Sequence, residues 1–533
     1  MKDAPSTAQP LPRGTASAIK AKLKESLHAS WPFLALFATV AFLDLILQRE
    51  VRSQLEEHLS QPFFYFLDAA WVSLKWGMLL TAPALFLGKR SRPFYLLLWP
   101  YIAIVETVEA VARCTYGMSL DGDWLMIVYA SSPSEMREFF GQFGWGSIAL
   151  TCAGLSLALF AGWTLLGRVR YPAASKGSIF TGILFCLPFA LCNLVLTNPL
   201  CAGNELMLSF LPIDTAHNHA LYSDIVRTAR EPRLPPGSAK PEDVNETLGV
   251  FVIGESATRS HWHLYGYGRP TTPIMDSMKD DLVVFRDVHA LHASTGKSLR
   301  DIFTEATEEN PLETRSTFAQ QCAAAGYRCE FFSAQSRWGR WEGIETMIFS
   351  GCSTKLYLRE QPDASPDVHD DALIPLAVKS MHSPSPPGRM VFLHLMGSHA
   401  PPLFRYPLKR TIYPRHEDDL PPGIADKRDA LRIDIYDNTI AFTDFILGEL
   451  IDALKPLKRP SFLLYLSDHG ETPSSRHWRD ASSPDLMEVP LVVWFSPEYR
   501  ARHPDTVATV VALAEKPIRL DRILPVLRLL ALL

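Results

Sequence analysis

Hydrophobic positions divide this chain into two parts that obey different periodicities. Up to residue 200 the apolar side chains gather in long runs. Gly146–Gly167 and Gly177–Leu200 each exceed twenty residues without one charged side chain, a length that crosses a bilayer as a helix. Three earlier runs have spanning length but carry ionisable groups: 31–48 with Asp44, 68–88 with Lys75, and 94–112 with Glu106 and Glu109. Five such segments separated by polar loops predict a membrane bundle with spans 31–48, 68–88, 94–112, 146–167 and 177–200. Ionisable residues inside spans are costly, which makes Glu106 and Glu109 candidates for contact with a cationic headgroup, or for pairing within the bundle.

Beyond residue 247 the pattern changes to short strand-like runs separated by helical stretches. The runs are Leu248–Ile253, Leu282–Val288, Cys329–Phe332, Met390–Leu395, Phe462–Leu466 and Val489–Phe495; Arg432–Leu454 is an apolar-periodic helix. Strands alternating with helices predict an α/β layered domain with a mainly parallel sheet. The intervening Thr228–Thr247 is rich in Pro and charge, as a linker should be. The expected organisation is a transmembrane domain over 1–205, a linker or interfacial segment over 206–247, and a catalytic domain over 248–533.

Charge orients this arrangement. Lys2, Arg13, Lys20, Lys22 and Lys24 precede the first run; Lys89, Arg90 and Arg92 fill the second loop, and Arg168, Arg170 and Lys176 the fourth. The positive-inside rule then puts the N-terminus in the cytoplasm, and five crossings leave everything after residue 200 on the far side of the membrane. The total of 52 basic against 57 acidic residues, net −5, offers no general attraction to polyanions, so no nucleic-acid partner is expected. Apolar residues at 47% exclude a disordered chain. Of the eight cysteines, Cys322, Cys329 and Cys352 lie in the exported part, where a Cys322–Cys329 bond is chemically permitted; no CxxC pair exists to build a zinc ribbon.

Candidate chemistry sits where strands end. The first exported strand runs into Gly254-Glu255-Ser256 and a later one into Ser467-Asp468-His469-Gly470-Glu471. In open α/β sheets ligands gather outside the carboxyl ends of strands. Two carboxylates and an imidazole form a donor set suited to zinc. Between them lies His292-Ala-Ser-Thr-Gly-Lys-Ser298, whose hydroxyls would be nucleophiles beside such a metal. Gly296-Lys297-Ser298 is not a P-loop, because position 291 is Leu where that motif needs Gly.

The motifs GESATRSHWHLYGYGRPTTP (Gly254–Pro273), LHLMGSHAPPLFRYP (Leu393–Pro407), YDNTIAFTDFIL (Tyr436–Leu447) and SDHGE (Ser467–Glu471) resemble those of bacterial phosphoethanolamine transferases. These enzymes modify lipid A and lipopolysaccharide core, and they include the mobile colistin-resistance proteins. The resemblance implies a five-helix membrane bundle joined to an alkaline-phosphatase/sulfatase-like domain. It implies zinc at one site, with room for a second ion. It also implies transfer of phosphoethanolamine from phosphatidylethanolamine through a covalent threonine to an envelope acceptor such as lipid A or lipopolysaccharide core, releasing diacylglycerol. The alternative is a phosphoglycerol transferase or another membrane enzyme of the alkaline phosphatase superfamily.

Carried over by position, Glu255, Asp468 and His469 fall on the family's zinc ligands, and Thr295 on its nucleophile and further ligand. His292 stands where relatives have a cysteine-flanked turn, which leaves Ser294 and Ser298 as outside candidates. His399 matches a histidine that contacts donor phosphate or a second zinc, and His477 the histidine that follows the Asp-His-Gly-Glu motif; both are suited to stabilise phosphate oxygens and move protons. Glu135 and Glu138, in the loop Ser131–Glu138, resemble a periplasmic segment near the lipid. The expected oligomeric state is a monomer.

Overall fold

The computed structural model describes residues 20–21, 24–25, 27–28, 30–40, 62–116, 145–173, 175–195, 241–307, 309–310, 316–336, 344–360, 368–384, 387–413, 427–473 and 483–533. These fall into two compact units, one within the first 195 residues and one from 241 onward.

The first unit is helical. Besides residues 30–40 it contains α1 (Pro62–Leu87), α2 (Arg92–Tyr116), α3 (Trp145–Arg168) and α4 (Lys176–Val195). α1 packs on α4 and α2 on α3, and the Trp99 indole N–H donates to the Ala158 carbonyl at 3.0 Å across the second pair. Each predicted span coincides with helix in its described part; residues 41–48 and 196–200 lie outside the described residues. By length and hydropathy one helix among the described residues, Gly146–Arg168, qualifies to cross a membrane. Its Leu150, Leu157 and Phe160 face outward and are largely exposed, an arrangement that water disfavours and lipid does not.

The second unit is built on a seven-stranded sheet of order β2-β8-β7-β1-β6-β4-β5. Its strands are β1 (Leu248–Gly254), β2 (Leu282–Phe285), β4 (Arg328–Ser333), β5 (Thr354–Tyr357), β6 (Arg389–His394), β7 (Ser461–Ser467) and β8 (Leu491–Phe495). A short pair, β3 (Val288–His289) with β9 (Ile518–Arg519), stands apart. Period-2 geometry sends Leu248, Val250 and Val252 of β1 into one apolar core and Phe251 and Ile253 into the other. Both faces are covered, so every residue of β1 is buried, which is why its sequence reads as a continuous apolar run. One core receives Tyr436, Ile440, Leu447 and Leu454 from the long helix α8 (Lys427–Leu454). Against the other lie Leu299, Ile302 and Phe303 of α5 (Thr295–Phe303) and Phe318 of α6 (Phe318–Ala324). Helix α7 (Leu373–Met381) packs on β6 and on α8.

The sheet is mainly parallel, as expected, and becomes mixed on its β8–β2 side. β1 pairs in parallel with β6 and β7, and β4 with β5 and β6, whereas β8 runs antiparallel to both β7 and β2. The described part of the β7–β8 connection holds only the one-turn helix Pro484–Met487. The predicted run Leu282–Val288 is also divided, with β2 ending at Phe285 and β3 beginning at Val288. Cys322, Cys329 and Cys352 are buried free thiols, and the permitted Cys322–Cys329 bond is absent.

Candidate metal centre and active site

The three central strands β7, β1 and β6 end together, and their register aligns Ile253 with both Leu466 and His394. Residues immediately beyond these ends therefore share one small space. Glu255 follows β1, Asp468 and His469 follow β7, and His394 closes β6. One donor atom from each of Glu255, Asp468 and His469 lies within 4.8 Å of the others. All three side chains are buried.

Thr295 joins this group from the opposite side. It is the first residue of α5, preceded by Ser294 in extended conformation, and its hydroxyl donates to Glu255 Oε2 at 2.8 Å. The unpaired N–H groups of a helix start carry partial positive charge, which favours an anion beside Thr295. Of the other hydroxyls in the turn, that of Ser298 donates instead to the His292 carbonyl at 3.1 Å. His292 itself faces Asp301 at 3.3 Å.

The electrostatics call for a cation. Burial raises the Glu255 carboxyl, but the hydrogen bond and charge of His469, the charge of His399 and the Ser256 hydroxyl outweigh it and hold the group well below its ordinary range. Burial and the adjacent Glu255 charge push Asp468 up to about 7. Burial lowers His469, yet Asp468 and Glu255 carry it up to about 9. Asp468 Oδ2 is buried and accepts no hydrogen bond among the described residues. An oxygen that lacks a hydrogen-bond donor, 3.5 Å from the His469 imidazole and beside a second carboxylate, is one that a metal ion could complete. The oxygen and nitrogen donors suit zinc, which takes such ligands in fours. Glu255, Asp468 and His469, with Thr295 as a fourth, are the residues that could hold it.

Around the group lies a frame of hydrogen bonds to which the sequence motifs assigned no role. Ser256 adopts φ +56°; its N–H donates to Asp468 Oδ1 at 3.1 Å and its hydroxyl to Glu255 Oε1 at 2.7 Å. The Tyr436 hydroxyl locks that turn by donating to the Ser256 carbonyl at 2.7 Å while accepting from the Thr258 N–H at 2.8 Å. The Gln335 amide nitrogen is 3.2 Å from Glu255 Oε2 and 3.1 Å from His394 Nε2, and His394 Nδ1 is 2.5 Å from Glu345. Gln335 and His394 follow or close strands whose cores were recognised, so the strand-end rule would have found both had it been extended to those strands.

The segment carrying His399 is anchored to the same frame. Asp370 accepts from the Met396 and Gly397 N–H groups at 2.8 and 2.9 Å, and Ser398 N–H donates to the Glu255 carbonyl at 2.8 Å. Gly397 sits at φ +50°, and a Cβ there would lie 2.6 Å from the Glu255 carbonyl oxygen. Gly397→Ala should therefore displace the backbone of Glu255. The expected result is a roughly 10- to 100-fold loss of zinc affinity, the size seen when support around metal ligands is disturbed. Competition with a chromophoric chelator checks it, and unchanged affinity would refute it. His477, Glu135 and Glu138 lie outside the described residues.

Comparison with known proteins agrees with this geometry. A family profile described as sulfatase matches residues 247–518. The chain is 26% identical over 416 residues to phosphoethanolamine transferase EptC of Escherichia coli (strain K12), covering 73% of this chain and 72% of that one. It is 28% identical over 274 residues to the Kdo(2)-lipid A phosphoethanolamine 7''-transferase of the same organism, covering 49% of this chain and 46% of the relative. Among solved structures, the integral membrane lipooligosaccharide phosphoethanolamine transferase A (EptA) of Neisseria meningitidis shares the fold. The TM-score is 0.65 at 16% identity, over 97% of this chain and 95% of that one. With the sulfatase profile matched over just more than half of its length, and with the strand-end cluster inside that match, this chain belongs to the sulfatase family.

Proposed function

We propose that this protein is a zinc-dependent phosphoethanolamine transferase. In this reading it takes phosphoethanolamine from phosphatidylethanolamine, carries it on Thr295 and passes it to an envelope acceptor such as lipid A or lipopolysaccharide core. The observation that carries the reading is the Thr295 hydroxyl, hydrogen-bonded at 2.8 Å to one carboxylate of a buried three-residue donor set. Similarity to EptC across 73% of the chain supports the group transferred.

Zinc held by Glu255, Asp468, His469 and Thr295 would act as a Lewis acid, lowering the hydroxyl pKa and drawing charge from the phosphoryl oxygens. The chain supplies the rest. Glu255 Oε2 accepts a hydrogen bond from the Thr295 hydroxyl, which would orient that oxygen for attack. The Thr295–phosphorus bond forms as the bond from phosphorus to diacylglycerol oxygen breaks, and that oxygen takes up a proton. We assign His399 to hold donor phosphate or deliver that proton, with His477 as the second candidate. In the return step an acceptor hydroxyl or phosphate oxygen attacks phosphorus and Thr295 leaves with a proton regained.

A lipid donor explains the apolar first unit. We read five spans, a cytoplasmic N-terminus and a periplasmic catalytic domain over 248–533, joined through 206–247. Tethering beside the donor raises encounter frequency and restricts orientation. Glu135 and Glu138 remain candidates for contact with the lipid ethanolamine.

The reading is tested with purified full-length protein in detergent, offered fluorescent phosphatidylethanolamine or phosphatidylglycerol with zinc or chelator. Zinc-dependent diacylglycerol release from phosphatidylethanolamine is the expected result. Release from phosphatidylglycerol alone would make the enzyme a phosphoglycerol transferase.

A further inference from the structure

Large apolar side chains are rare on the described surface of the 241–533 unit. Those exposed are Phe404, Leu408, Ile412, Leu431 and Val511, and the first three fall within nine residues at 41%, 75% and 52% exposure. Leu431 lies seven residues before Asn438 on α8, two turns along the same helix face. Asn438 is the residue that holds the end of this segment.

The apolar side chains point outward from a pinned backbone. The buried Arg405 side chain donates to the carbonyls of His399 at 2.7 Å and Ala400 at 3.2 Å. The Asn438 side chain accepts from the N–H groups of Ile412 at 2.7 Å and Tyr413 at 2.9 Å, and donates to the Tyr413 carbonyl at 2.9 Å. The Arg410 guanidinium stacks 3.6 Å over the Phe445 ring. A segment held at both ends cannot collapse to hide Phe404, Leu408 and Ile412, so its exposure is built in. Residues 401–413 also contain Arg405, Lys409 and Arg410 and no carboxylate. Outward apolar groups next to cations, with no anion among them, complement the acyl–headgroup boundary of a phospholipid leaflet.

We propose that residues 404–412 are a bilayer-contact loop. Phe404, Leu408 and Ile412 enter the headgroup–acyl boundary, while Lys409 and Arg410 lie at the level of the lipid phosphates. Because Arg405 ties the loop to the carbonyl of His399, the contact would bring the donor headgroup to the reacting groups. The functional part of this inference rests on the lipid-donor reading above.

The test uses the full chain reconstituted in vesicles of phosphatidylethanolamine and phosphatidylglycerol, as wild type and as Leu408→Asn/Ile412→Asn. A diazirine-bearing phospholipid is photolysed and the labelled peptides are mapped. Wild type should carry lipid label within 401–413, and the variant should lose at least about two-thirds of it. Label confined to the first 200 residues, or crosslinks from this segment to a second copy in its place, would overturn the proposal. Kinetics add a second readout: KM for vesicle phosphatidylethanolamine should rise roughly tenfold in the variant, with kcat on a water-soluble dihexanoyl analogue unchanged. Equal loss on both donors would also overturn it. Wild type inactive on both donors yet labelled in 401–413 would refute the transferase reading and leave the bilayer contact standing.

Discussion

Thr295→Ala should reduce diacylglycerol release from phosphatidylethanolamine by at least about 10³-fold, the scale of loss when a covalent nucleophile is deleted. The same substitution should abolish a phosphoethanolamine adduct that wild type accumulates when acceptor is withheld, read by intact-protein mass and by fragmentation at residue 295. Thr295→Ser, which keeps an oxygen in the same place, should retain measurable turnover and the adduct. The fold should survive both changes. Thr295 is only partly buried at the first position of α5, and its hydrogen bond runs to Glu255 and not into the core. An adduct persisting in Thr295→Ala would move the nucleophile to Ser294 or Ser298. The geometry argues against Ser298, whose hydroxyl is committed to the His292 carbonyl.

The second large effect concerns Asp468 and depends on whether metal is present. Asp468→Asn should weaken zinc binding at least about 100-fold, because a ligand is lost outright where disturbed support alone costs 10- to 100-fold. With zinc at 100 times its wild-type dissociation constant, wild type gains about 2.7 kcal/mol of stability, of which the variant keeps at most about 0.4 kcal/mol. In chelator the order should invert. The Asp468 carboxyl rises to about 7 in the fold against about 3.9 in an unfolded chain, so the fold favours its neutral form. That contribution is fully present below about pH 4 and is lost as pH rises through about 7. His469 rises to about 9 against about 6.5, so its contribution is complete below about pH 6.5 and is lost through about 9. Metal-free wild type should thus weaken from mildly acidic to alkaline pH; Asp468→Asn should lack the first of these declines and show a smaller second one, because the Asp468 charge helps to raise His469. Thermal unfolding across pH 5 to 9, with and without chelator, decides it. A chelated variant that is less stable than chelated wild type at pH 8 would mean that the carboxylate is structural and the cluster does not demand a cation.

Several features were legible in residues alone because local physics decides them. Long, mainly apolar runs specify helices whatever surrounds them, and the described parts of all five predicted spans are helical. Six strand cores were readable because a strand buried on both faces must be continuously apolar. Their carboxyl ends then pointed to Glu255, Asp468 and His469 without any contact map. By contrast β5 and β9 were missed. β5 is only partly buried and β9 has two residues, too little apolar signal to separate a strand from a loop.

What only the tertiary structure decided concerns direction and partnership. Sheet order and the antiparallel β8 follow from how a connection returns, which periodicity does not encode. The contact between the Thr295 hydroxyl and Glu255 links residues forty apart in sequence, and the frame of Ser256, Tyr436, Gln335 and Asp370 came from contacts up to 212 residues apart. Residue types state what a side chain can do, whereas its partner depends on which strand ends the fold brings together. The sequence alone therefore determined the two-part organisation and the donor chemistry of the site. Their assembly into one buried, charge-deficient cluster was decided by three adjacent strands ending at a common edge.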